Sequence, residues 1–273
     1  MRKISARMIT DTVAGLCVKA NLILRDDVLS ALKTAFALET NARAKGIIKA
    51  IIENARVARV DKLAICQDTG MPVVFAQIGR EVVIEGNFNA AINKGIESGY
   101  RKACLRSSIV EDPLSRGRAR YTPAVIHIGM VNSNKLKLTV LPKGFGCENK
   151  SQALMFKPTA DISEIKKFIV NAVKIAGPDA CPPYVVGVGI GGTADYASLL
   201  AKKALLRKIK SKKSKLEKEL LGKINKLNIG PMGLGGKTTA LAVNIETYPT
   251  HIAGLPVAVN ISCHALRSAT AVL

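Results

Sequence analysis

Residues 184–206 read YVVGVGIGGTADYASLLAKKALL, and their pattern changes halfway along. YVVGVGI is typical of a buried β-strand, whereas DYASLLAKKALL has apolar residues at helical spacing. GVGIGG, Gly187 to Gly192, also matches the G-x-G-x-x-G pattern of dinucleotide-binding turns. The acidic residue that holds a ribose about 20 positions later in such proteins would fall in a Lys-rich run that has none before Glu217. We interpret the glycines as allowing close packing of helix on strand, with dinucleotide binding as the alternative.

Helical and strand patterns surround this segment on both sides. Apolar residues at helical spacing occur at 26–39, 42–58, 91–106 and 161–177. The helix at 161–177 opens with a capping-box pattern, Asp161 and Glu164, and ends at Gly177. Short runs typical of strands occur at 71–79, 81–86, 124–131, 135–141, 238–246 and 255–262.

The order of these patterns predicts a mixed α/β (α+β) fold, with a mixed β-sheet flanked by helices. We expect a helical N-terminal segment at 1–60 and a mixed α/β core at 61–273. Together they are expected to form a single domain over residues 1–273.

The composition limits which kinds of partner, membrane or nucleic acid, the chain is expected to have. No run approaches the ~20 apolar residues that span a bilayer, and MRKISARMITDTVAG lacks the apolar region of a secretory signal. We therefore expect a cytoplasmic protein with no membrane partner.

The net charge of +21 suggests that the chain binds nucleic acid. However, aromatic residues make up only 4% of the chain and Trp is absent, so base-stacking surfaces are scarce. The basic run 207–218 is interpreted as a solvated helix face or a surface loop, with an acidic partner, an anionic substrate field or RNA as alternatives.

GPMGLGGKTT, residues 230–239, resembles a phosphate-binding loop. The pattern G-x-x-x-x-G-K-[ST] requires a glycine at position 231, which is Pro231. Because such a loop works by aiming successive backbone N–H groups at phosphates, the motif fails. Lys237, within this stretch, could cap or neutralise the loop.

The six cysteines are widely spaced and form no C-x-x-C pair, which argues against a disulfide framework in this chain. Cys17 and Cys104 fall within helical patterns, which predicts ordinary core thiols. Cys66 lies in AICQDTGMP, Cys181 in GPDACPPY and Cys263 in NISCHALR. A Cys-Pro pair occurs in iron–sulfur proteins, although inert buried thiols are the default interpretation.

Five segments in this order resemble one family. They are CQDTG, KGFGCENKS, CPPYVVGVGIGGTADYASLLAKKALLR, GPMGLGGKTTALAV and HIAGLPVAVNISCHALR. Together they are similar to the α subunits of class I, iron–sulfur-dependent fumarate hydratases and of L-tartrate dehydratases. The resemblance spans most of the chain and is densest from 62 to 267.

The resemblance implies that Cys66, Cys181 and Cys263 hold a 4Fe-4S cluster. With three thiolates, one iron keeps an open position for Lewis-acid chemistry on the substrate hydroxyl and carboxylate. Cys147, in KGFGCENKS, lies where single-chain relatives have another residue, so it is left out of the ligand set.

The same resemblance implies roles for polar residues. Asp68 is a candidate for moving a proton to the departing oxygen, and His251 matches an active-site histidine. The substrate-binding candidates are Gln67, Arg106, Asn149 and Lys150. Without the resemblance, Asp68 would be read as a turn former, Arg106 as a surface cation and His251 as a half-buried histidine. Arg267 is expected to do no more than buttress Cys263.

The reaction implied is the reversible hydration of fumarate to L-malate, a step of the tricarboxylic acid cycle. Single-chain members have a second domain that begins where this sequence ends, so we expect a partner, a fumarate hydratase β subunit, in a heterodimer or α2β2 assembly. The substrate is a small dicarboxylate, and the chain is expected to be active only with its partner. The alternatives are conversion of L-tartrate to oxaloacetate and, from another class, a nucleotide- or RNA-binding module.

Overall fold

The computed structural model describes residues 1–209 and 211–273. One residue of the basic run 207–218, Lys210, lies outside the described residues. The chain divides into two compact units. Unit 1 comprises Met1–Arg25, Ala55–Phe145 and Arg267–Leu273, and unit 2 comprises Asp26–Asn54 and Gly146–Leu266.

The described residues form α-helices and β-strands in both units. The helices are α1 (Ala6–Leu22), α2 (Asp26–Leu38), α3 (Ala42–Val60), α4 (Phe88–Lys102), α5 (Phe145–Glu148), α6 (Ile162–Ala176), α7 (Ala194–Ala204) and α8 (Lys215–Asn225). The strands are β1 (Arg2–Ser5), β2 (Met71–Gly79), β3 (Val82–Glu85), β4 (Ile109–Asp112), β5 (Arg116–Arg120), β6 (Val125–Val131), β7 (Leu136–Lys143), β8 (Gln152–Phe156), β9 (Tyr184–Gly192), β10 (Ala240–Thr250), β11 (Leu255–Ser262) and β12 (Ala269–Val272).

Unit 1 is built on a four-stranded sheet of order β12-β7-β2-β6. β2 runs parallel to β6 and antiparallel to β7, and β12 is antiparallel to β7. α1 and α4 pack together, and their apolar faces join the sheet in one core. The largest fully buried residues of this core include Tyr100, Ile4, Ile9, Ile92, Ile96, Leu136 and Leu138.

Unit 2 is built on a second four-stranded sheet of order β10-β9-β11-β8. β9 is parallel to β10 and antiparallel to β11, which also pairs antiparallel with β8. Each four-stranded sheet therefore mixes parallel and antiparallel pairs and packs against helices. This confirms the predicted mixed α/β class. That residues 1–273 form a single domain stays a prediction.

The glycines of the quoted segment lie where α7 packs on β9. A Cβ atom on Gly187 would lie 2.1 Å from the carbonyl oxygen of Ala201, and one on Gly189 would lie 2.0 Å from that of Ala197. No side chain fits at such distances, because real Cβ atoms do not come within 3.0 Å of other heavy atoms. The packing interpretation of GVGIGG is therefore confirmed.

Several other predictions can be compared with the structure. Asp161 and Glu164 form the capping box of α6, as predicted. Cys104 is not a core thiol, because α4 ends at Lys102 and Cys104 is exposed, with φ 51°.

The basic run leads into α8, a helix that the sequence patterns did not predict. α8 begins with a capping box formed by Ser214 and Glu217. Among the described residues, no helix is both long enough and apolar enough to cross a membrane.

Candidate functional site

Residues 66–70 form the last part of the loop that connects α3 to β2, and they carry three of the predicted site residues. Cys66 and Asp68 are half-buried, whereas Gln67 is exposed. The thiol of Cys66 donates to Oε1 of Gln67 at 3.4 Å. All three side chains are thus presented by a loop whose ends are fixed by regular structure.

Asp68 is held by backbone N–H groups on both of its carboxylate oxygens. Oδ1 accepts from Gly70 N at 3.0 Å, and Oδ2 accepts from Phe145 N at 2.8 Å. A Cβ atom on Gly144 would lie 3.1 Å from Oδ2, so this carboxylate occupies space that a side chain would need. Each oxygen keeps a second lone pair with which it can bind a substrate hydroxyl.

Two buried side chains fix the backbone of the loop. The hydroxyl of Tyr100 donates to the carbonyl oxygens of Thr69 and Gly70, both at 3.1 Å. Arg267 donates through Nη2 to the carbonyl oxygen of Asp68 at 2.7 Å. Burial raises the pKa of Tyr100, so its hydroxyl remains a donor at neutral pH.

Arg267 makes a second side-chain contact within unit 1. Its Nη1 atom donates to Oδ1 of Asn21 at 3.2 Å, and its expected support of Cys263 stays a prediction. Only 3% of Arg267 is exposed. Neither Tyr100 nor Arg267 belongs to a sequence motif that signals support of Asp68, and only the fold reveals their role.

Arg106 is also brought to this loop. Thr69 Oγ1 accepts from Arg106 N at 3.1 Å and donates to Arg106 O at 3.2 Å. The side chain of Arg106 is exposed, so its guanidinium is available to a ligand. Unit 1 therefore assembles Cys66, Gln67, Asp68 and Arg106 around one loop.

In unit 2, the structure joins the two other predicted cysteine segments. Cys181 lies in the loop before β9, and Cys263 directly follows β11. The backbone N–H of His264 donates to the carbonyl oxygen of Cys181 at 3.3 Å, and its Nδ1 lies 3.1 Å from the same oxygen. Because a carbonyl oxygen only accepts, the Nδ1–H tautomer is the one that fits. His264 thereby ties the residue after Cys263 to Cys181.

The turn that carries Asn149 and Lys150 lies beside the same loop. Cys147 is buried, and its thiol donates to the carbonyl oxygen of Ala180 at 3.4 Å. Lys150 Nζ forms an ion pair with Asp179 at 2.9 Å. Asn149 is exposed. Unit 2 therefore brings Asn149 and Lys150 to the Cys181 loop, with Lys150 engaged by Asp179.

The glycine loop 230–237 has a structural role in unit 2. Each backbone N–H from Met232 to Lys237 donates to an acceptor within the protein. These acceptors belong to Pro182, Gly230, Pro231, Ile229, Asn228 and Glu39, respectively. The loop packs on the Cys181 segment, since a Cβ on Gly233 would lie 2.3 Å from Pro178 Cβ. The backbone N–H groups of this loop therefore form hydrogen bonds within the protein and are not directed at a phosphate.

Lys237 is a structural residue. Its backbone N–H donates to Glu39 Oε2 at 2.7 Å, and its Nζ donates to the carbonyl oxygen of Leu38 at 3.4 Å. Leu38 is the last residue of α2, so the ammonium interacts favourably with the end of this helix.

His251 lies in the turn after β10 and is exposed. Its Nδ1 accepts from Ala253 N at 3.1 Å, so the imidazole is oriented by its own turn. In the part of the chain that the structure describes, its hydrogen bonds do not connect it to the cysteine segments. Its active-site role stays a prediction.

The cysteines differ in their fitness as cluster ligands. All six lie within the described residues, and none is in a disulfide. Burial raises the pKa of Cys17 to about 12, which keeps it a thiol at neutral pH. Cys66, Cys181 and Cys263 are half-buried in or beside loops, so their sulfur atoms suit an iron–sulfur cluster held by three thiolates.

Across residues 1–209 and 211–273, no group of three or more His, Cys, Asp or Glu side chains is arranged to hold a metal ion. Cys66 belongs to unit 1, and Cys181 and Cys263 belong to unit 2. The assignment of these three residues as ligands stays a prediction.

Comparisons with known proteins agree on one family. The family described as Fumarate hydratase (Fumerase) matches residues 10–272. A protein from Methanocaldococcus jannaschii named "Putative L(+)-tartrate dehydratase subunit alpha" is 42% identical over 279 residues, covering 96% of each chain. The "L(+)-tartrate dehydratase subunit alpha" of Escherichia coli K12 is 30% identical over 271 residues, covering 96% of this chain and 89% of its own. The chain therefore belongs to the fumarate hydratase (Fumerase) family.

Proposed function

We propose that the chain is the cluster-binding α subunit of a two-subunit hydro-lyase that hydrates fumarate reversibly to L-malate. One observation carries the proposal: His264 ties the segments of Cys181 and Cys263 together by hydrogen bonds to the Cys181 carbonyl oxygen. Family membership supports it, because the match covers residues 10–272. The word "alpha" in the names of the relatives supports the partner, a β subunit.

In this proposal, Cys66, Cys181 and Cys263 are the thiolate ligands of a 4Fe-4S cluster. When bound, the cluster supplies Lewis acidity at an iron that carries no cysteine, which matters because hydroxide is a poor leaving group. Arg267, the fourth residue after Cys263, donates to the carbonyl oxygen of Asp68, two residues after Cys66.

Asp68 is the proposed proton carrier. Its two oxygens already accept N–H groups from Gly70 and Phe145, which fix the plane of the carboxylate. Each oxygen keeps a lone pair directed away from these donors, and this lone pair can hold the proton of the departing or attacking water. Fixed orientation of this kind lowers the barrier because the proton acceptor need not be positioned during the reaction.

Arg106 is the proposed clamp for a substrate carboxylate. Thr69 Oγ1 forms hydrogen bonds with both the backbone N–H and the carbonyl oxygen of Arg106. The guanidinium of Arg106 remains exposed and can form two parallel hydrogen bonds with a carboxylate. Gln67, exposed on the same loop, is proposed to donate to the substrate through its amide.

Asn149 and Lys150 are proposed to bind the same substrate from the turn beside Cys181. In the structure, Lys150 pairs with Asp179, whose side chain is 65% exposed. An exposed ion pair is weak, so a dianionic substrate can compete for this ammonium at low cost. His251 is proposed as a further active-site residue that approaches the substrate in the assembled enzyme.

A second candidate reaction is the conversion of L-tartrate to oxaloacetate. It is favoured by the names of the two relatives at 42% and 30% identity, which are both L(+)-tartrate dehydratase α subunits. Tartrate carries one hydroxyl more than malate, and both are four-carbon dicarboxylates. The same carboxylate clamp and proton carrier serve either substrate.

The test is an anaerobic assay of the α chain, co-expressed with its β subunit, against fumarate, L-malate and L-tartrate. We expect the complex to hydrate fumarate and the isolated α chain to be inactive. Turnover of tartrate with none of fumarate would select the second candidate. Turnover of neither dicarboxylate by a complex that carries its full cluster would contradict the hydro-lyase proposal, as would full activity of the α chain alone.

A further inference from the structure

The turn that carries Asn149 and Lys150 is closed by its own backbone. Lys150 N donates to the carbonyl oxygen of Cys147 at 3.1 Å, and Ser151 N donates to that of Glu148 at 3.0 Å. Each of these hydrogen bonds links residues three apart, as in a β-turn. The two proposed substrate-binding residues therefore lie between Glu148 and Ser151 in a tight turn.

One buried side chain bridges the two flanks of this turn. Asn260, on β11, is 4% exposed. Its Nδ2 atom donates to Glu148 Oε2 at 3.0 Å and to Ser151 Oγ at 2.9 Å. An amide nitrogen carries two N–H donors, so both hydrogen bonds can form at once. Asn260 thus contacts the residue before Asn149 and the residue after Lys150.

The other carboxylate oxygen of Glu148 is also held. Oε1 forms an ion pair with Nζ of Lys202, on α7, at 2.5 Å. The side chains of Glu148 and Lys202 are 23% and 19% exposed, so solvent screens this pair less than a pair on the open surface. The two oxygens of Glu148 are therefore bound to regular elements of unit 2, one to α7 and the other to β11.

The amide oxygen of Asn260 is buried and has no hydrogen-bond partner among the residues that the structure describes. Burying a polar atom without a partner opposes folding. Rotation of the amide by 180° would not help, because its oxygen would then face the carboxylate of Glu148, which only accepts hydrogen bonds. A buried polar group with this cost calls for a functional explanation, and both of its N–H donors serve the turn.

We propose that Asn260 is a positioning residue for substrate binding. Through Glu148 and Ser151 it fixes the turn, so that Asn149 and Lys150 can bind a carboxylate of the dicarboxylate without first being ordered. This inference rests on the proposed function, in which Asn149 and Lys150 bind the substrate. Because Cys263 directly follows β11, the strand that carries a proposed cluster ligand also orients the substrate-binding turn.

Asn244 provides a matched control on the other side of β9. Asn244 of β10 and Asn260 of β11 both pair with Gly187 of β9, so they lie in the same row of the sheet. Asn244 is also buried, but its Nδ2 atom donates to the carbonyl oxygen of Ala204 at 2.9 Å and its Oδ1 accepts from Lys213. Truncation of either asparagine removes a buried amide, and only the change at Asn260 removes these contacts with the turn.

The first test measures hydrogen exchange of the Lys150 and Ser151 backbone N–H groups by NMR in the full-length chain. Asn260→Ala should speed their exchange about tenfold, because the turn opens locally once its flanks are released. Asn244→Ala should leave these two rates at the wild-type values. Unchanged exchange in Asn260→Ala, or equal acceleration in Asn244→Ala, would contradict the proposal.

A milder variant decides the question if Asn260→Ala does not fold. Ser151 is exposed, and Ser151→Ala removes one of the two contacts while the hydrogen bond from Asn260 to Glu148 remains. We expect a smaller acceleration of exchange at the same two N–H groups. Exchange at the wild-type rate in Ser151→Ala would then overturn the proposal.

The second test separates positioning from a general structural role and uses the complex with the β subunit. Asn260→Ala should raise KM for the dicarboxylate that is turned over about tenfold, with kcat and iron content near wild type, because substrate and transition state lose the same contacts. In an Asn149→Ala/Lys150→Ala background the same change should raise KM much less, since the residues that Asn260 positions are already truncated.

Fully additive effects on KM, or a fall in kcat with unchanged KM, would show that Asn260 does not act through the turn. A complex that turns over neither dicarboxylate would reject the proposed function. The exchange rates of Lys150 and Ser151 would still decide whether Asn260 fixes the turn, so the two failures can be told apart.

Discussion

The residue on which the candidate site depends most is Asp68. Its carboxylate is positioned by Gly70 N and Phe145 N, and its carbonyl oxygen by the guanidinium of Arg267. The resemblance identified Asp68 from its place after Cys66. The Gly70 contact is the local turn that an aspartate read as a turn former predicts. Phe145 and Arg267 lie far along the chain, and no local pattern relates them to Asp68. The sequence could therefore name the residue but not these two distant contacts.

A substitution next to this carboxylate tests its positioning. Gly144→Ala would place a Cβ atom 3.1 Å from Asp68 Oδ2, so the carboxylate must move by a few tenths of an ångström. We expect kcat of the reconstituted complex to fall about tenfold, since small misplacements of a reacting group are costly. Thermal unfolding should change little, because φ of Gly144 is not in the left-handed region. The measurement is kcat for fumarate or tartrate, whichever is turned over, together with Tm.

The matched control is Gly46→Ala on α3, where an added Cβ atom would meet nothing within 4 Å. It should keep wild-type kcat. Equal activity of the Gly144→Ala and wild-type complexes would show that the position of the Asp68 carboxylate does not limit the rate.

At the scale of elements, every strand of seven or more residues was predicted, whereas five strands of four or five residues were not: β1, β4, β5, β8 and β12. β2 and β11 have the predicted bounds, 71–79 and 255–262, because their apolar runs are bounded by turn residues. β8 was missed because three of its five residues are exposed apolar side chains without alternation. α8 was missed because its start lies in the Lys-rich run, although Ser214 and Glu217 form a capping box there. The high charge of the Lys-rich run hid the helical pattern of α8, although the capping box at the N-terminus of α8 indicates a helix.

Cys104 shows a different limit of pattern reasoning. Apolar spacing continues past the real end of α4 at Lys102, so the pattern 91–106 placed Cys104 inside a helix. The chain instead turns, with Cys104 at φ 51°. Helix ends are set by local backbone conformation, which apolar spacing does not report.

The contact of α7 with β9 gives a prediction about stability. Gly189→Ala would place a Cβ atom 2.0 Å from the backbone oxygen of Ala197, and the helix must move away to accommodate it. We expect a loss of ~1–3 kcal/mol in the free energy of unfolding, because rigid backbone cannot yield as a side chain can. The measurement is chemical denaturation followed by circular dichroism.

Gly222→Ala on α8 is the control, since nothing lies within 4 Å of an added Cβ there. It should raise stability by ~0.4–1 kcal/mol through lower entropy of the unfolded chain. If Gly189→Ala were as stable as the wild type, the close packing of α7 on β9 would not explain the glycine motif.

At the scale of the whole molecule, family membership rests on a match over residues 10–272 and on relatives that span nearly the same length. Each glycine motif by itself resembles a nucleotide-binding pattern, and the structure assigns both to packing within the protein. Only the ordered set of motifs identified the family, because each motif by itself has a simpler structural explanation.

The central claim is that three cysteines hold one cluster, and iron content with visible absorbance after anaerobic reconstitution tests it most directly. Cys66→Ser, Cys181→Ser and Cys263→Ser should each lose the brown colour and most of the iron. Cys17→Ser, Cys104→Ser and Cys147→Ser should keep both, since burial raises the pKa of Cys17, Cys104 is exposed outside the proposed ligand set, and Cys147 donates to Ala180. A full cluster in any of the first three variants, or its loss only in Cys147→Ser, would contradict the assignment.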